Sequence, residues 1–147
     1  MITSKFNPDL PLRYVRYGRM SDEEQNPRSP EQQFADIDRT KRKQGRENWV
    51  HVKDYRDDGI SGRYKRKRPG FREMLEAIRC GLLKIDAILV DTIERFARLE
   101  DLPAIREELR KKYGVLILTS DTGFTDPTSM VGRIYGAMEA IRASSAA

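Results

Sequence analysis

The sequence predicts an α/β fold: a mostly parallel sheet of four to five strands with helices on both faces. Short apolar or aromatic runs alternate along the chain with segments whose apolar residues recur at helical spacing. Ala87–Val90 is a continuous apolar run, which is typical of a central parallel strand covered on both faces. At 147 residues, the chain is long enough for one domain with a substantial core.

The first predicted strand spans residues 12–20 and follows a loose leader, residues 1–11, that contains two prolines. Its tyrosines and valine suit a pleated surface, but three arginines show that it is not buried along its whole length. A helix is predicted from Pro30 to about Gln44. Ser29 and Gln32 form a capping-box pattern at its start, and Gly45 supplies its stop.

The second predicted strand covers residues 49–55, and its alternation places Val52 and Tyr55 on opposite faces. A turn-rich loop and a basic run at 63–68 follow. The next predicted helix spans residues 69–80, with a semi-buried thiol at Cys80 closing it. Its expected core residues recur at helical spacing: Phe71, Met74, Leu75, Ile78 and Leu82.

Three further elements complete the predicted fold after the apolar strand at 87–90. A helix starts near Pro103 and ends at Gly114, and residues 115–118 form a fourth buried strand. The chain ends in an amphipathic helix, whose apolar positions are Val131, Ile134, Tyr135, Met138 and Ile141. That apolar stripe either covers the protein's own sheet or pairs with another subunit.

The candidate chemistry begins at Ser21, which follows the first strand and comes two residues after Arg19. In open α/β sheets, ligands bind beyond the carboxyl ends of the strands, so a hydroxyl here can face a polar substrate. A serine needs a base or nearby cations to act as a nucleophile. One histidine against 28 lysines and arginines favours phosphoryl over acyl chemistry, because guanidinium groups match phosphate oxygens.

Other cations follow later strands. Arg95 and Arg98 come after the strand at 87–90 and would lie one turn apart if that segment were helical. Right-handed crossovers would gather Ser21, Arg68 and Arg95 at one sheet edge. The basic run at 63–68 is either a hairpin over DNA or a solvated loop, and its charge alone does not distinguish these.

Composition sets the remaining bounds. A net charge of +5 and a pI near 9.4 permit a polyanionic partner. The single cysteine excludes a disulfide framework and a cysteine-rich metal site. We find no apolar run long enough to span a membrane and no signal-peptide core, so the sequence predicts a cytoplasmic protein without a membrane partner.

Several motifs together resemble the serine recombinases, a family of resolvases, invertases and phage-type integrases. They occur in the family's order over nearly the whole chain and resemble its N-terminal catalytic domain. The motifs are Tyr17-Gly18-Arg19-Met20-Ser21 with Gln25, Ser29-Pro30-Glu31-Gln32-Gln33, Asp57-Asp58-Gly59-Ile60-Ser61-Gly62, Arg68-Pro69-Gly70-Phe71 and Glu94-Arg95-Phe96-Ala97-Arg98.

The resemblance implies a catalytic set. Ser21 matches the nucleophile, which attacks a DNA phosphodiester and forms a 5′-phosphoserine link while releasing a 3′ hydroxyl. The matching arginines surround the scissile phosphate: Arg19, Arg68, Arg95 and Arg98. Their charge would replace a metal ion, so neither metal nor cofactor is expected. Gln25 and Gln33 match glutamines that order the site.

Two positions in these motifs receive a more specific interpretation. Glu94 stands where the family usually has aspartate, so its carboxylate would orient arginines or handle a proton with altered geometry. We interpret Asp57-Asp58-Gly59 as a turn that supports the basic loop, and not as catalytic.

The resemblance also implies an assembly. Dimers would bind each DNA site, and two dimers would synapse as a tetramer before the strands are exchanged and rejoined without ATP. Residues 12–128 would form the catalytic domain, and 129–147 the start of a truncated dimerisation helix. The region that recognises the DNA site is expected to be absent, so this segment alone should bind DNA weakly and recombine it incompletely.

Two other functions remain open from the residues themselves. A metal-dependent nuclease would place magnesium among acidic residues and would lose its activity in EDTA. Its candidate ligands are Asp57, Asp58, Asp91 and Glu94. A noncatalytic basic module that docks on nucleic acid would keep every measurable property after Ser21→Ala. Resolvase, invertase and integrase are not distinguished, although the long loops and the leader favour large, integrase-like members.

Overall fold

A single parallel sheet forms the centre of the protein. The computed structural model describes residues 6–20, 29–57, 68–97, 101–125 and 129–146. In these residues the strands are β1 (Arg13–Arg19), β2 (Val50–Asp57), β3 (Ala87–Val90) and β4 (Leu116–Thr119). All pair in parallel in the order β2-β1-β3-β4, so the predicted mostly parallel sheet is confirmed, with four strands. β1 therefore lies between β2 and β3.

Helices cover both faces of the sheet, as predicted. They are α1 (Pro30–Lys43), α2 (Pro69–Arg79), α3 (Ile93–Phe96), α4 (Leu102–Tyr113) and α5 (Met130–Ala146). Phe34 and Ile37 of α1 pack into the core on one face. Side chains of α2, α3 and α4 pack into a larger core on the other. Among the described residues, none of the helices has the length and apolar character needed to cross a bilayer.

The ends of α1 follow the sequence prediction. The Ser29 hydroxyl accepts a hydrogen bond from the Gln32 backbone N–H at 3.2 Å, and the Gln32 side chain accepts one from the Ser29 backbone N–H at 2.9 Å. Lys41, Arg42 and Lys43 occupy the last turn, where cations complement the helix dipole. The capping-box prediction is confirmed.

The prediction that Val52 and Tyr55 lie on opposite faces of β2 was wrong. The register against β1 shifts between Tyr14 and Val15, which pair with His51 and Lys53 and leave Val52 without a partner residue in the ladder. An extra residue of this kind reverses the alternation beyond it. Val52 and Tyr55 consequently pack against the same core, and β2 continues to Asp57 instead of ending at residue 55.

The predicted core of α2 is confirmed except at its end. Phe71, Met74, Leu75 and Ile78 are buried, but Leu82 is 86% exposed. The helix ends at Arg79, and Gly81 has a φ of +82°, which turns the chain away before Leu82. Cys80 is also exposed, and not semi-buried as predicted.

The described part of the predicted leader contacts the sheet. Phe6 meets the Trp49 ring edge-on, with centroids 6.4 Å apart, and the Trp49 indole donates a hydrogen bond to the Pro8 carbonyl at 2.8 Å. Asp9 pairs with Arg46 at 2.8 Å. Residues 6–9 are thus held against the turn that precedes β2.

Helix α5 presents an apolar stripe that its own sheet does not cover. Met130, Val131, Ile134, Met138 and Ile141 are each at least 53% exposed. Val131, Ile134, Met138 and Ile141 belong to the predicted stripe, and covering the sheet is therefore wrong for these four side chains. The Tyr135 side chain lies outside what the structure describes.

Candidate active site

The candidate site begins at the carboxyl end of the central strand, where Arg19 is the last residue of β1. Gln33 of α1 is fully buried and binds the Arg19 backbone at two points. Its Oε1 accepts the Arg19 N–H at 3.0 Å, and its Nε2 donates to the Arg19 carbonyl at 2.8 Å. The buried amide thus fixes the main chain two residues before Ser21.

The one-turn helix α3, which follows β3, contributes the second part of the site. Arg19 Nη2 donates to the Glu94 carbonyl at 3.0 Å, and Arg95 Nη1 donates back to the Arg19 carbonyl at 3.3 Å. The Arg95 side chain is 8% exposed, and its Nε lies 3.6 Å from Asp91 Oδ1. These contacts join the ends of β1 and β3, which are adjacent strands.

Arg68 enters the site from the start of α2. Its Nη2 donates to the Tyr17 hydroxyl at 3.0 Å, to the Arg95 carbonyl at 3.1 Å and to the Phe96 carbonyl. Its Nε also reaches the Tyr17 hydroxyl, at 3.3 Å. The guanidinium carbon lies 3.9 Å from the centre of the Phe71 ring, where a cation is attracted by the ring's negative face.

Asp57 anchors the helix on which Arg68 sits. Its Oδ1 accepts the Gly70 N–H at 2.7 Å, and its Oδ2 accepts the Phe71 N–H at 2.9 Å. A carboxylate at a helix N-terminus satisfies unpaired N–H groups and complements the helix dipole. The same Oδ2 accepts the Tyr17 hydroxyl at 2.6 Å. Asp57 is therefore linked to Tyr17 and, through it, to Arg68.

Gly70 makes this close approach possible. A Cβ atom at this position would lie 2.3 Å from the Arg56 carbonyl oxygen and 3.1 Å from Asp57 Oδ1. Arg68 itself has a left-handed backbone, with φ 42° and ψ 64°, and Pro69 supplies the first helical residue. The Arg68-Pro69-Gly70-Phe71 motif thus has a structural reason at each position.

The Tyr17 hydroxyl keeps its proton in this setting. Burial raises the pKa of Tyr17, and Arg68 opposes that increase without overcoming it. The neutral phenol can therefore donate to Asp57 and accept from Arg68 at the same time. A hydrogen bond to an ionised acceptor is shorter and stronger than one between neutral groups, in keeping with the 2.6 Å distance.

The structure brings together five of the eight candidate catalytic residues. Arg19, Arg68 and Arg95 are linked through each other's backbone, Gln33 lies behind Arg19, and Glu94 takes part through its carbonyl. The other three, Ser21, Gln25 and Arg98, lie outside the described residues, as do 63–67 of the basic run.

The one-turn spacing of Arg95 and Arg98 was predicted on the condition that this segment is helical. In the described residues, helix α3 ends at Phe96, and Ala97 is extended, with φ −153° and ψ 162°. Arg98 itself lies outside the described residues.

Sequence reasoning missed Tyr17 as part of the site, and it treated Asp57 as a turn residue or, in the nuclease alternative, as a magnesium ligand. Tyr17 is fully buried and Asp57 is 8% exposed, at the end of β2. An aspartate at the end of a strand, followed by an arginine at the start of the next helix, could have indicated this contact. The prediction missed it because it ended β2 at residue 55.

The acidic residues considered as magnesium ligands have other partners here. Both Asp57 oxygens accept protein hydrogen bonds, and Asp91 Oδ1 accepts the Thr92 N–H at 2.8 Å. In the described ranges, no three histidine, cysteine or acidic side chains form a cluster suited to a metal ion. Asp58 lies outside those ranges.

Comparison with known families identifies the chain. Residues 14–147 match the family model described as the resolvase N-terminal domain. The chain therefore belongs to the resolvase family, whose N-terminal domain it matches. Membership of this family supports a function in site-specific recombination and implies that the substrate is DNA. No curated protein sequence matches the chain.

Solved structures share the fold. The N-terminal catalytic domain of TP901-1 integrase aligns with a TM-score of 0.63 and 19% identity, over 88% of this chain and 92% of that one. A resolvase family site-specific recombinase from Streptococcus pneumoniae gives 0.61 and 21%, over 91% and 89%. The C-terminal catalytic domain of ISC1926 TnpA, an IS607-like serine recombinase, gives 0.55 and 20%, over 86% and 78%.

Proposed function

We propose that this chain is the catalytic domain of a site-specific recombinase in which Ser21 is the nucleophile. The Ser21 oxygen attacks a DNA phosphorus, the bond from phosphorus to the 3′ oxygen breaks, and that oxygen leaves as a 3′ hydroxyl after taking up a proton. The DNA 5′ end remains linked to the protein as phosphoserine. A 3′ hydroxyl from the exchanged strand then gives up its proton and attacks the same phosphorus. The bond from phosphorus to the Ser21 oxygen breaks, the serine takes up a proton, and the DNA is rejoined without ATP.

The observation that carries this proposal is the convergence of three arginines at the end of β1. Arg19, Arg68 and Arg95 come from three separate parts of the chain. Arg68 donates to the Arg95 carbonyl at 3.1 Å and Arg95 donates to the Arg19 carbonyl at 3.3 Å, while Arg19 donates to the adjacent Glu94 carbonyl at 3.0 Å. The chain continues from Arg19 to Ser21 within two residues. Several guanidinium groups beside one hydroxyl suit a transition state in which negative charge accumulates on phosphate oxygens.

Each candidate residue has a proposed role. Arg19, Arg68, Arg95 and Arg98 stabilise the phosphate charge, which makes a metal ion unnecessary for that task. Gln33 fixes the backbone that leads to Ser21, an assignment supported by its two bonds to Arg19. Gln25 orders the same segment, and the Glu94 carboxylate orients arginines.

The proposed domain organisation follows from the same family. Residues 12–128 form the catalytic domain, and 129–147 begin a helix through which two subunits pair on each DNA site. The exposed apolar side chains of α5 support that pairing, because an uncovered stripe of this kind favours contact with another surface. Two dimers would join as a tetramer in synapsis.

The test is covalent capture on DNA. The full-length protein is incubated with a suicide substrate whose nick prevents religation, and products are separated under denaturing conditions. We expect a protein–DNA adduct carrying a 5′ phosphoserine, formed equally well in EDTA and absent in Ser21→Ala.

Each alternative gives a different result. Cleavage that stops in EDTA and survives Ser21→Ala would identify a metal-dependent nuclease. DNA binding without any cleavage, unchanged by Ser21→Ala, would identify a noncatalytic module. Either outcome would refute the proposed mechanism.

A further inference from the structure

A cavity of about 530 Å³ opens at the amino edge of the sheet, where β1, β3 and β4 begin and α2 and α4 end. Arg13 lies at its rim and is the first residue of β1, whereas Arg19 in the candidate active site is the last. At about 3.3 Å per residue, the strand separates these two places by about 20 Å. A ligand in the cavity would therefore leave the candidate active site open.

The floor of the cavity is apolar. Ile78, Ile85 and Val115 line it as core residues that are each at most 6% exposed. Leu83 and Tyr113 are partly buried against the same core and also line the cavity. Ligand sites are typically cavities of about 300–1,000 Å³ with mainly apolar walls. The floor is therefore suited to hold an apolar side chain, whose burial there would favour binding.

Four cations line the same cavity, and three of them have no ion-pair partner among the described residues. Arg79 is the exception, since Glu108 accepts two hydrogen bonds from it at 2.8 and 2.9 Å. Those bonds are the main reason that the pKa of Glu108 is lowered, and Lys112 adds to the effect from outside ion-pair distance. Arg13, Lys84 and Lys112 thus keep their charge available to a ligand.

Asp86 is the carboxylate among the lining residues, and it is already bonded to the main chain. Its Oδ2 accepts the Arg13 N–H at 2.9 Å, while its own N–H and carbonyl bond to the Arg13 carbonyl and the Leu116 N–H. The Arg13 Nε donates to the Lys84 carbonyl at 3.1 Å, which is an uncharged acceptor. Asp86 therefore holds the starts of three strands together and offsets only part of the positive charge of the cavity.

The helix dipole accounts for only one of the three available cations. Lys112 lies in the last turn of α4, where a cation complements the dipole. Arg13 begins a strand and Lys84 lies in a loop, so neither has that role. Lys111, the neighbour of Lys112, is paired with Glu107 at 2.6 Å. The cations around the cavity therefore favour an anionic ligand.

Leu82 extends the apolar surface outside the cavity. It is 86% exposed, more than any other large apolar side chain in the described residues. Its neighbours Gly81 and Leu83 line the cavity, and the bond from the Leu83 N–H to the Ala77 carbonyl at 2.9 Å holds this turn in place. An apolar surface that continues beyond a cavity is larger than a small molecule needs, and it favours contact with another protein.

We propose that the amino edge of the sheet is a docking site for a partner protein, which binds through an acidic segment that inserts one apolar side chain into the cavity. Carboxylates of that segment lie beside Arg13, Lys84 and Lys112, and its apolar side chain fills the floor. A nucleic acid would supply negative charge but no side chain for the floor, so the chemistry favours protein. The inference does not depend on the proposed reaction, because the candidate active site lies at the other end of β1.

Three synthetic peptides test this chemistry by calorimetric titration of the full-length protein. The first has four glutamates around one phenylalanine, the second replaces the phenylalanine by alanine, and the third replaces the glutamates by glutamine. We expect the first peptide to bind with a Kd of about 0.1–1 mM. The other two should bind at least about tenfold more weakly, because one lacks the buried ring and the other lacks the charges.

Cys80 reports where the first peptide binds, because it is exposed and lines the cavity. Its alkylation by iodoacetamide is followed by mass spectrometry of the fragment that contains it. At about ten times the Kd, the first peptide should slow this alkylation about tenfold. Cys80→Trp places a large ring at the mouth of the cavity and should abolish binding. Its melting temperature should be that of wild type, because the position is exposed.

Two pairs of lysines give matched variants. Lys84→Gln with Lys112→Gln removes two charges from the cavity, whereas Lys43→Gln with Lys111→Gln removes two from exposed positions at helix ends. The affinity for the first peptide should fall about tenfold in the first variant and less than about twofold in the second. Neither variant should change the rate of Ser21 adduct formation. Calorimetry needs no catalysis, so a failure of the proposed reaction would not alter the peptide result.

Several outcomes would overturn the docking proposal. They are equal losses in the two double variants, binding that survives Cys80→Trp, equal affinity for all three peptides, and no binding of the first peptide at up to about 10 mM. Slower Cys80 alkylation on addition of duplex DNA would identify a nucleic acid as the occupant. Slower alkylation at higher protein concentration would identify a second copy of the chain. Either of these results would also refute an acidic protein partner.

Discussion

Arg16 and Arg68 are two partly buried arginines in very similar settings, and they differ in the charge of their partners. Each lies over a phenylalanine ring, Arg16 4.6 Å from Phe34 and Arg68 3.9 Å from Phe71. Arg16 faces the α1 side of the sheet, whereas Arg68 lies at the carboxyl edge, on the α2 side.

Arg16 is neutralised by two carboxylates. It binds Asp54 through two parallel hydrogen bonds of 2.7 Å and Asp38 through one of 2.9 Å. The bond to Asp54 is the main reason that the pKa of Arg16 is raised. Burial alone would raise the pKa of Asp54, but the bonds from Arg16 and His51 outweigh it and lower that pKa.

Arg68 instead donates to a phenol and to main-chain carbonyls. Uncharged acceptors fix the geometry of a guanidinium but leave its positive charge uncompensated. The two arginines therefore differ in the charge of their partners and not in burial or ring stacking, and this difference is what the proposed function requires of an arginine that binds a phosphate.

Replacing each arginine by methionine gives the largest test of this comparison. Methionine keeps an apolar side chain over the ring and removes the charge. Arg68→Met should slow Ser21 adduct formation by about 10²- to 10³-fold, the loss typical of one charge-stabilising donor. Its melting temperature should fall less than that of Arg16→Met, because the acceptors that lose their donor are uncharged. If adduct formation stayed within about threefold of wild type, the assignment of Arg68 would be wrong.

Gly70→Ala tests whether the helix that presents Arg68 needs its close contact with β2. The new Cβ would meet backbone at 2.3 Å, so we expect a loss of about 3 kcal/mol in the free energy of unfolding. Denaturant titration measures it. Gly136→Ala, in α5 with no neighbour within 4 Å, is the control and should be neutral or slightly stabilising. A similar result at both positions would contradict the contact.

Arg16→Met should lower stability and leave adduct formation unchanged, which is the reverse of the effect expected for Arg68→Met. It leaves Asp38 and Asp54 without their shared cation, so the free energy of unfolding should fall by about 2 kcal/mol. The rate of adduct formation, measured at a temperature where the variant is folded, should remain that of wild type. A large catalytic defect in Arg16→Met would remove the distinction between the two arginines.

Asp54→Asn tests the pairing of Asp54 with Arg16 through the pH dependence of stability. Because the pKa of Asp54 is lowered in the folded protein, its carboxylate stabilises the fold above its unfolded pKa of about 3.9, and this contribution is lost as the pH falls through the folded value. Asp54 is about one-third exposed, so solvent screening limits the cost of Asp54→Asn to about 1 kcal/mol at pH 7.

Thermal unfolding from pH 7 down to pH 3 is the measurement. The difference between Asp54→Asn and wild type should shrink as the pH approaches the acidic end of this range. A difference that grows toward low pH would contradict the pairing of Asp54 with Arg16.

The order and type of the main elements followed from the sequence because period and capping are local properties. The apolar run at 87–90, the Ser29 capping box and Gly114 after α4 each determine their element within a few residues. The prediction that Leu82 is a core residue failed because the helix period does not contain the turn at Gly81. The prediction that Val52 and Tyr55 lie on opposite faces failed because the register shift depends on pairing with the neighbouring strand. A local sequence pattern contains no information about that pairing.

The sequence was sufficient to predict which arginines belong to the site, but not which hydrogen bonds hold them in place. Motif resemblance selected Arg19, Arg68 and Arg95, which the structure brings together. It gave no reason for Tyr17 to lie between Asp57 and Arg68, because that contact arises from the pairing of β1 with β2 and the docking of α2.

The bonds that join the site arginines are all between distant parts of the chain. Arg19 reaches Glu94 across 75 positions, and Arg95 reaches Arg19 across 76. A growing polypeptide that has passed Arg19 but not yet α3 cannot form either bond. Such an incomplete chain would carry Ser21 without its assembled cations. Under the proposed mechanism, the ability to cut DNA would therefore emerge only once most of the domain has been synthesised and folded.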